Sequence, residues 1–247
     1  MLSRKECQIA LKKWQSSKRN VNEVLRLIPA NYVVKISPKD IKWLKEHNKV
    51  NRFHAYMGVH ENKAIMMFFP LDSSGKEIRL KEHPYSTLER LDSEIKFVEQ
   101  EVKTLTKIAV LSADIQVISR VVKETVPLFQ HNIDCQDTIL VEIEDWRNDS
   151  PDWFYKQIHE HQGETIFNVF NIPIEDLSDG STEVIGLFAF KYSKIYTEVI
   201  PTIIFVQDES CLLENNKVHS IQTNLYNWSQ PCPPFCRPKD DYILLQD

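Results

Sequence analysis

The residues best suited to chemistry are two cysteines near the carboxyl end, in the segment "PCPPFCRP" at 231–238. A structural zinc site needs four ligands, and the nearest additional candidates are Cys211 and His219. Together with Cys232 and Cys236 they give the pattern Cys-x7-His-x12-Cys-x3-Cys, which matches no structural zinc module. The favoured interpretation is therefore a buried, proline-stiffened segment that anchors a terminal strand in "DYILLQD", with a zinc- or thiol-dependent site as the alternative.

A disulfide between Cys232 and Cys236 is not expected from the local sequence. The intervening Pro233 and Pro234 favour an extended polyproline path, on which about 3.1 Å per residue separates the two Cα atoms by about 12 Å. A disulfide requires less than about 7 Å. The pair could close only through a cis-proline turn or a helix that starts at Pro234.

Three other groups of polar residues could form a site. His159 and His161 lie two apart in a predicted short helix, where they point to different sides, so a solvated helix end is favoured over a metal site. Glu142 and Glu144 fall on one face of a predicted strand, "TILVEIEDW", and suit an exposed polar face better than paired acid–base chemistry.

The third group is a row on a predicted strand in "RFHAYMGVH". There Phe53 and alternate residues face one way, while His54, Tyr56 and His60 face the other. The row could line a binding surface. The water-exposed face of a hairpin is the favoured interpretation, because a half-buried strand alternates in this way.

Catalytic and cofactor motifs are missing from the sequence. The chain has only five glycines, and no two frame a dinucleotide fingerprint or a phosphate-binding loop. There is no Gly-x-Ser-x-Gly elbow, no Ser-x-x-Lys and no His-Glu-x-x-His. We therefore expect no cofactor, with zinc as the one alternative, and a protein that is not an enzyme.

Charge is distributed unevenly along the 247 residues. The first fifty carry 12 Lys and Arg against 4 Asp and Glu, a balance of +8, so the net charge of −5 leaves −13 for the rest. The favoured interpretation is that these cations lie on solvated helix faces. Nucleic-acid binding is the alternative, and it would use Lys12, Lys13, Lys18, Arg19, Lys39, Lys42 and Lys45.

The elements that must position these residues indicate an α+β fold. Apolar spacing predicts two short helices before Pro29, and Ser37 with Pro38 starts a third that ends near His47. We expect about five to seven strands, mostly in hairpin succession, in an antiparallel or mixed sheet packed by helices.

The longest element predicted is a helix at 86–126. Ser86 to Glu89 matches a capping box, and apolar residues then recur every three or four positions, with a change of phase near Ala113 where a kink is expected. A straight rod of this length would span about 60 Å against about 45 Å for the globule, so it would protrude or pair with a second copy. The sequence thus predicts a possible homodimer through this helix.

The chain resembles a family of uncharacterised bacterial proteins that end in a similar Cys-Pro-Pro-x-Cys tail. The residues that carry this resemblance are "FHAYMGV", "IFNVFNIPIEDL" and "TNLYNWSQPCPPFC". The resemblance implies a bacterial protein with one domain and no assigned activity, so it transfers no catalytic residue.

The sequence therefore predicts a single α+β domain over 1–247, with a basic helical part over about 1–50. No apolar run is long enough for a membrane span and no secretory signal is recognisable, so we expect a cytoplasmic protein. The predicted function is a non-enzymatic module that interacts with another protein. A thiol or zinc site at the carboxyl end and nucleic-acid binding are the alternatives.

Overall fold

The computed structural model describes residues 1–92, 95, 104–111, 113, 117–125, 136–177, 180–207, 229–236 and 242–245. These ranges contain four α-helices: α1 (Arg4–Ser17), α2 (Val21–Leu27), α3 (Pro38–His47) and α4 (Gln136–His161). They also contain twelve strands: β1 (Leu2–Ser3), β2 (Tyr32–Ile36), β3 (Arg52–His60), β4 (Lys63–Phe69), β5 (Glu82–His83), β6 (Tyr85–Arg90), β7 (Thr104–Leu111), β8 (Val117–Thr125), β9 (Val169–Pro173), β10 (Val184–Ser193), β11 (Glu198–Gln207) and β12 (Gln230–Cys232).

Eight strands form the main sheet, in the order β11-β10-β2-β6-β4-β3-β9-β12. Every pairing in it is antiparallel. The two outer strands approach each other, because the Ser229 side chain bonds to both backbone groups of Ile203, so the sheet is nearly barrel-shaped. The predicted α+β class is confirmed, but the main sheet exceeds the five to seven strands expected.

Helix α3 begins as the sequence predicts, with Ser37 as its cap and Pro38 in its first turn. Helix α1 begins at a reciprocal capping box of Ser3 and Glu6, which was not predicted. Helix α3 ends at His47, as expected. Local chemistry decides these boundaries, because each cap satisfies backbone N–H groups that the helix itself leaves free.

The hairpin of β3 and β4 is also confirmed. Glu61 and Asn62 form its two-residue turn, and both have positive φ angles of 49° and 61°, as a turn that follows the strand twist requires. Strand β4 is buried from Ala64 to Phe69, as its continuous apolar sequence predicts.

Helix α1 packs closely on β3. Gly58 allows this approach, because a Cβ at that position would lie 3.0 Å from the Ala10 Cβ. At the end of the helix the Trp14 indole donates to the Phe167 carbonyl oxygen at 2.8 Å. The contact seats α1 on the segment that leads into β9.

The predicted helix over 86–126 is wrong. Residues 85–90 form β6, and two further parts of the range form β7 and β8, which pair as a separate two-stranded ribbon. The apolar spacing fits a helix, but Val, Ile and Thr are frequent in the ribbon, and these β-branched residues prefer extended backbone. The homodimer predicted through this helix therefore loses its premise.

The strand predicted in "TILVEIEDW" is also wrong, because these residues belong to the 26-residue helix α4. Its buried residues Ile139, Glu142, Trp146 and Ser150 recur every three or four positions, which is the helical period. The alternation of Ile and Val with Glu concealed this second pattern. The short helix predicted before Gly163 is the last part of α4.

The described helices include none that is long and apolar enough to cross a membrane.

Candidate functional site

The most concentrated polar cluster is the buried network of His54, Tyr56 and Glu77. Strand alternation places His54 and Tyr56 on one face of β3, and Glu77 reaches them from the loop after β4. The Tyr56 hydroxyl donates to Glu77 Oε1 at 2.6 Å, and His54 Nδ1 lies 2.6 Å from the same oxygen. Because this oxygen accepts from Tyr56, Nδ1 is the donor in the second contact.

The carboxyl-terminal segment completes the network. The Ile243 backbone N–H donates to Glu77 Oε2 at 2.7 Å, so both carboxylate oxygens accept hydrogen bonds. The Tyr242 ring packs against His54, with ring centroids 4.8 Å apart. A loop, a strand and a segment distant in sequence thus meet at one carboxylate.

The network is closed to solvent. The side chains of His54 and Glu77 have no exposed surface. Burial, followed by the charge of Glu77, raises the pKa of Tyr56 well above its ordinary value, so its hydroxyl keeps the proton that it donates. The pairing of a carboxylate with His54 Nδ1 would suit a general base, yet Nε2 contacts no hydrogen-bonding group of the described residues. Among the described residues, the arrangement joins β3, the loop at Glu77 and the segment at Ile243.

A second buried carboxyl group lies just beyond β9. Asp176 is 4% exposed, and neither of its carboxyl oxygens has a hydrogen-bond partner among the described residues. Burial, followed by the nearby charge of Glu175, raises the pKa of Asp176 to about 8, and Arg52 opposes this. Asp176 is therefore protonated when folded at neutral pH.

An open cleft of about 280 Å³ lies between α2 and the sheet. Its floor is formed by the buried apolar residues Leu27, Ala64 and Leu88. Six polar or aromatic residues form its walls and rim: Arg26, Tyr32, Asn62, Lys63, Glu89 and Arg90. It contains no pair of side chains arranged for nucleophilic or acid–base catalysis, but it could hold a small ligand.

The ribbon of β7 and β8 is the third feature that could contact other molecules. Every side chain described on it is exposed, including Ile108 at 41%, Val121 at 42% and Val122 at 62%. The two strands pair with each other and with no other strand of the described residues. Apolar side chains and free strand edges are thus presented together.

The structure keeps His54 and Tyr56 together but places the other predicted polar groups differently. The prediction that His54 and Tyr56 lie on a water-exposed face is wrong, since both are buried under Glu77 and Tyr242; His60, at the strand end, is half-buried. Glu142 and Glu144 lie on a helix, the first buried and the second exposed beside Arg147, so they share no strand face.

His159 and His161 lie at the end of α4 and are both exposed, as a solvated helix end would be. No group of three His, Cys, Asp or Glu side chains among the described residues could hold a metal ion. Of the seven basic residues considered for nucleic acid, Lys18 is buried and donates to the Ile166 carbonyl oxygen at 2.6 Å. Its burial lowers its pKa to about 8, and the other six are exposed.

Cys232 and Cys236 form a disulfide with Cα atoms 4.7 Å apart, so the expectation of an open pair is wrong. The peptide bonds before Pro233 and Pro234 are cis, and the segment turns instead of following the extended path. Cys211 and His219 lie outside the described residues, so the four-ligand zinc site stays a prediction, and it would require Cys232 and Cys236 as reduced thiolates instead of the disulfide. The terminal segment Ile243–Leu245 forms a 3-10 turn, not the strand predicted.

Sequence reasoning missed both the Glu77 network and the cleft. Glu77 lies in a loop without a recognisable motif, and its partners are 21, 23 and 166 positions away. The cleft residues come from four elements, α2, β2, β4 and β6, and from the turn at Asn62. The one available signal was the unusual placement of His54 and Tyr56 within an otherwise apolar strand.

Comparison of the chain with protein-family models, curated proteins and solved structures finds no match.

Proposed function

We propose that this protein is a non-enzymatic interaction module that binds another protein through the ribbon of β7 and β8. The observation that carries the proposal is the exposure of Ile108, Val121 and Val122 on a ribbon that pairs with no other described strand. Proteins usually cover or blunt such edges, because unpaired backbone groups beside apolar side chains invite another chain to add.

The stability of the ribbon also favours a partner. A two-stranded ribbon on its own is marginally stable in water, and a third strand or a covering surface adds the burial it lacks. Val121 lies opposite Ile108 in the register, so the two form an apolar pair without a cover among the described residues.

The charges of the ribbon indicate the chemistry of the partner. The charged residues of the two strands are Lys107, Arg120, Lys123 and Glu124, a net charge of +2, and the three cations are exposed. The proposed occupant is an extended segment of a different protein that adds as a strand and carries acidic residues beside apolar ones. Backbone hydrogen bonds would supply affinity in this mode and alternate side chains specificity.

Capture from native cytoplasmic extract tests the proposal with three forms of the protein: wild type, Val122→Glu and Ile195→Glu. Val122 is 62% exposed on the ribbon, and Ile195 is 73% exposed on the β10–β11 hairpin, so the second variant is a matched control. We expect one partner whose recovery falls about tenfold with Val122→Glu and is unchanged with Ile195→Glu. A synthetic peptide covering the acidic segment of that partner should then bind wild type and fail to bind Val122→Glu.

Three results would count against the proposal. Recovery of the protein alone in repeated captures would contradict the existence of a binding partner. Equal loss with both variants would place the contact elsewhere. A concentration-dependent dimer that Val122→Glu dissociates would show that the ribbon binds a second copy of the chain instead.

A further inference from the structure

The cleft beside α2 lies where strand β6 stops pairing with β4 and begins to pair with β2. Strand β6 pairs with β4 only as far as Thr87, opposite Ile65, and from Leu88 to Arg90 it pairs with β2 instead. The start of β4 and the end of β6 therefore separate, and helix α2 lies beside the opening. Openings at the mouths of barrels are common positions for ligands.

The register directs two walls of the cleft toward the same space. Tyr32 lies opposite Arg90 and Val34 lies opposite Leu88, so these four side chains share one face of the sheet. Leu88 is buried and contributes to the floor, whereas Arg90 is exposed at the rim. The cleft is thus apolar at its base and cationic at its opening.

Three cations surround this opening. Arg26 is held in place by Glu23, at 2.6 and 3.1 Å, and by the Asn62 carbonyl oxygen at 3.0 Å. Lys63 and Arg90 are exposed, and neither has an ion-pair partner among the described residues. The lining residues carry three cations and the Glu89 carboxylate, and Glu23, which is paired with Arg26, lowers the local net charge to +1.

We propose that this cleft binds a small phosphate monoester with a compact apolar or aromatic body. A phosphate monoester carries a charge of about −1.5 to −2 at neutral pH, which Lys63 and Arg90 would attract. The Arg90 guanidinium can match phosphate oxygens with paired N–H donors, and Lys63 adds a second cation, whereas Arg26 already donates to Glu23 and to the Asn62 carbonyl oxygen. The apolar floor and the Tyr32 ring accommodate the body, and the volume of about 280 Å³ restricts its size.

This site does not depend on the glycine-rich loops that the sequence lacks. Such loops bind phosphate through backbone N–H groups that approach the ligand closely. Here side-chain cations from β4 and β6 take that role, and their positions in the sequence form no motif. The inference is also independent of any partner that binds the ribbon, since none of the cleft residues belongs to β7 or β8.

Calorimetric titration with phenyl phosphate tests the proposal at about 0.15 M salt, where weak long-range attraction is largely screened. We expect saturable binding of one molecule, with a Kd below about 1 mM. Arg90→Gln and Lys63→Gln should each weaken binding about tenfold, because each removes one charge-assisted contact. Arg147→Gln, at an exposed arginine of α4 outside the cleft, is the matched control and should change the Kd less than about twofold.

Two comparison ligands separate the parts of the proposal. Inorganic phosphate should bind more weakly than phenyl phosphate because it leaves the apolar floor uncovered. Benzoate should also bind more weakly because a carboxylate carries less charge. Benzoate binding as tightly as phenyl phosphate would overturn the assignment to phosphate monoesters.

Absence of saturable binding up to about 10 mM phenyl phosphate would overturn the site itself. Equal weakening by Arg147→Gln would have the same effect, since it would indicate general attraction to a cationic surface. Thermal melting distinguishes these results from unfolding, and all three exposed substitutions should leave the Tm within a few degrees of wild type.

Discussion

Glu77 joins two distant parts of the chain, strand β3 and the segment at Ile243. Its two carboxylate oxygens accept from the Tyr56 hydroxyl, the His54 imidazole and the Ile243 backbone N–H. A buried carboxylate is costly unless donors replace its water, and here three donors do so. Loss of any one member therefore leaves a buried polar group without its partner.

We expect Glu77→Gln to lower the free energy of unfolding by about 3 kcal/mol, because the amide replaces one acceptor oxygen by a donor among donors. Tyr56→Phe removes one hydrogen bond and should cost about 1–2 kcal/mol. Glu144→Gln, at an exposed glutamate of α4, is the matched control and should cost less than about 1 kcal/mol. Urea denaturation measures all three, and an effect of Glu77→Gln no larger than the control would contradict this account.

Asp176 predicts a pH dependence with a definite sign. Its ordinary pKa is 3.8, and burial raises the pKa to about 8 in the folded protein. Between these values the folded state holds a proton that the unfolded state has released, so the contribution of Asp176 to stability falls as pH rises from about 4 to about 8. The loss is complete above pH 8.

Asp176→Asn should remove this dependence. We expect the variant to be more stable than wild type by a few kcal/mol near pH 8 and equal to it near pH 4, on the scale of about 1.4 kcal/mol per pKa unit. Unfolding curves at several pH values measure the difference in unfolding free energy between the variant and wild type. The contributions of the other titrating groups largely cancel in this difference. A difference that does not change with pH would refute the burial of an ionisable Asp176.

The sequence revealed the alternation of His54 and Tyr56 but could not show what covers them. Alternation assigns residues to faces, and it does not say which face meets water. The covering residues, Glu77 and Tyr242, lie in a loop and in a segment near residue 243, and no local pattern joins them. Convergent polar clusters of this kind depend on tertiary contacts, which residue spacing does not contain.

At the scale of elements, predictions succeeded where local chemistry decides the structure. Ser37 with Pro38, and the two-residue turn at Glu61 and Asn62, specify their own boundaries. The predictions failed for 86–126 and for α4. In both segments the apolar spacing was compatible with a helix and with a strand, and tertiary packing decided between them. For α4 the deciding contacts include Trp146 stacked on Phe188, with ring centroids 5.1 Å apart.

The end of α4 supplies a prediction at this scale. Gly163 has a φ of +76°, and a Cβ there would lie 2.2 Å from the Lys18 carbonyl oxygen. Gly163→Ala combines left-handed backbone with a backbone clash, so we expect it to cost more than about 2 kcal/mol of unfolding free energy. The neighbouring Gln162 has a φ of +55°, and Gln162→Gly should instead gain up to about 1 kcal/mol. If the two substitutions changed the free energy of unfolding equally, the left-handed backbone and the close contact described at Gly163 would be wrong.

At the scale of the whole molecule, closure of the main sheet rests on Ser229. Its Oγ accepts from the Ile203 N–H at 2.6 Å and donates to the Ile203 carbonyl oxygen at 3.0 Å, and Thr202 contacts it at 2.9 Å. The residue is buried, so no water is available to replace these bonds. The Ser229 side chain, together with the bond from Thr202 Oγ1 to the Ser229 carbonyl oxygen at 3.1 Å, therefore joins β11 to the segment that enters β12.

We expect Ser229→Ala to cost about 2–3 kcal/mol, because it leaves buried backbone groups of Ile203 without a partner. Hydrogen exchange should show faster exchange in β11 and β12 and little change in β3 and β4. Ser16→Ala is the matched control, since the Ser16 hydroxyl bonds to a backbone oxygen on an exposed helix surface and should cost less than about 0.5 kcal/mol. Unchanged exchange in β11 would show that other contacts hold β11 and β12 together.

The bond from Ile243 to Glu77 spans 166 residues and sets an order of events during synthesis. A nascent chain that has already formed the β3–β4 hairpin holds a carboxylate with no backbone donor until translation reaches residue 243. A polypeptide released earlier would have an incomplete interior at Glu77 and would be recognised by chaperones and proteases. The Glu77 cluster is thus completed only when residue 243 is available to the fold.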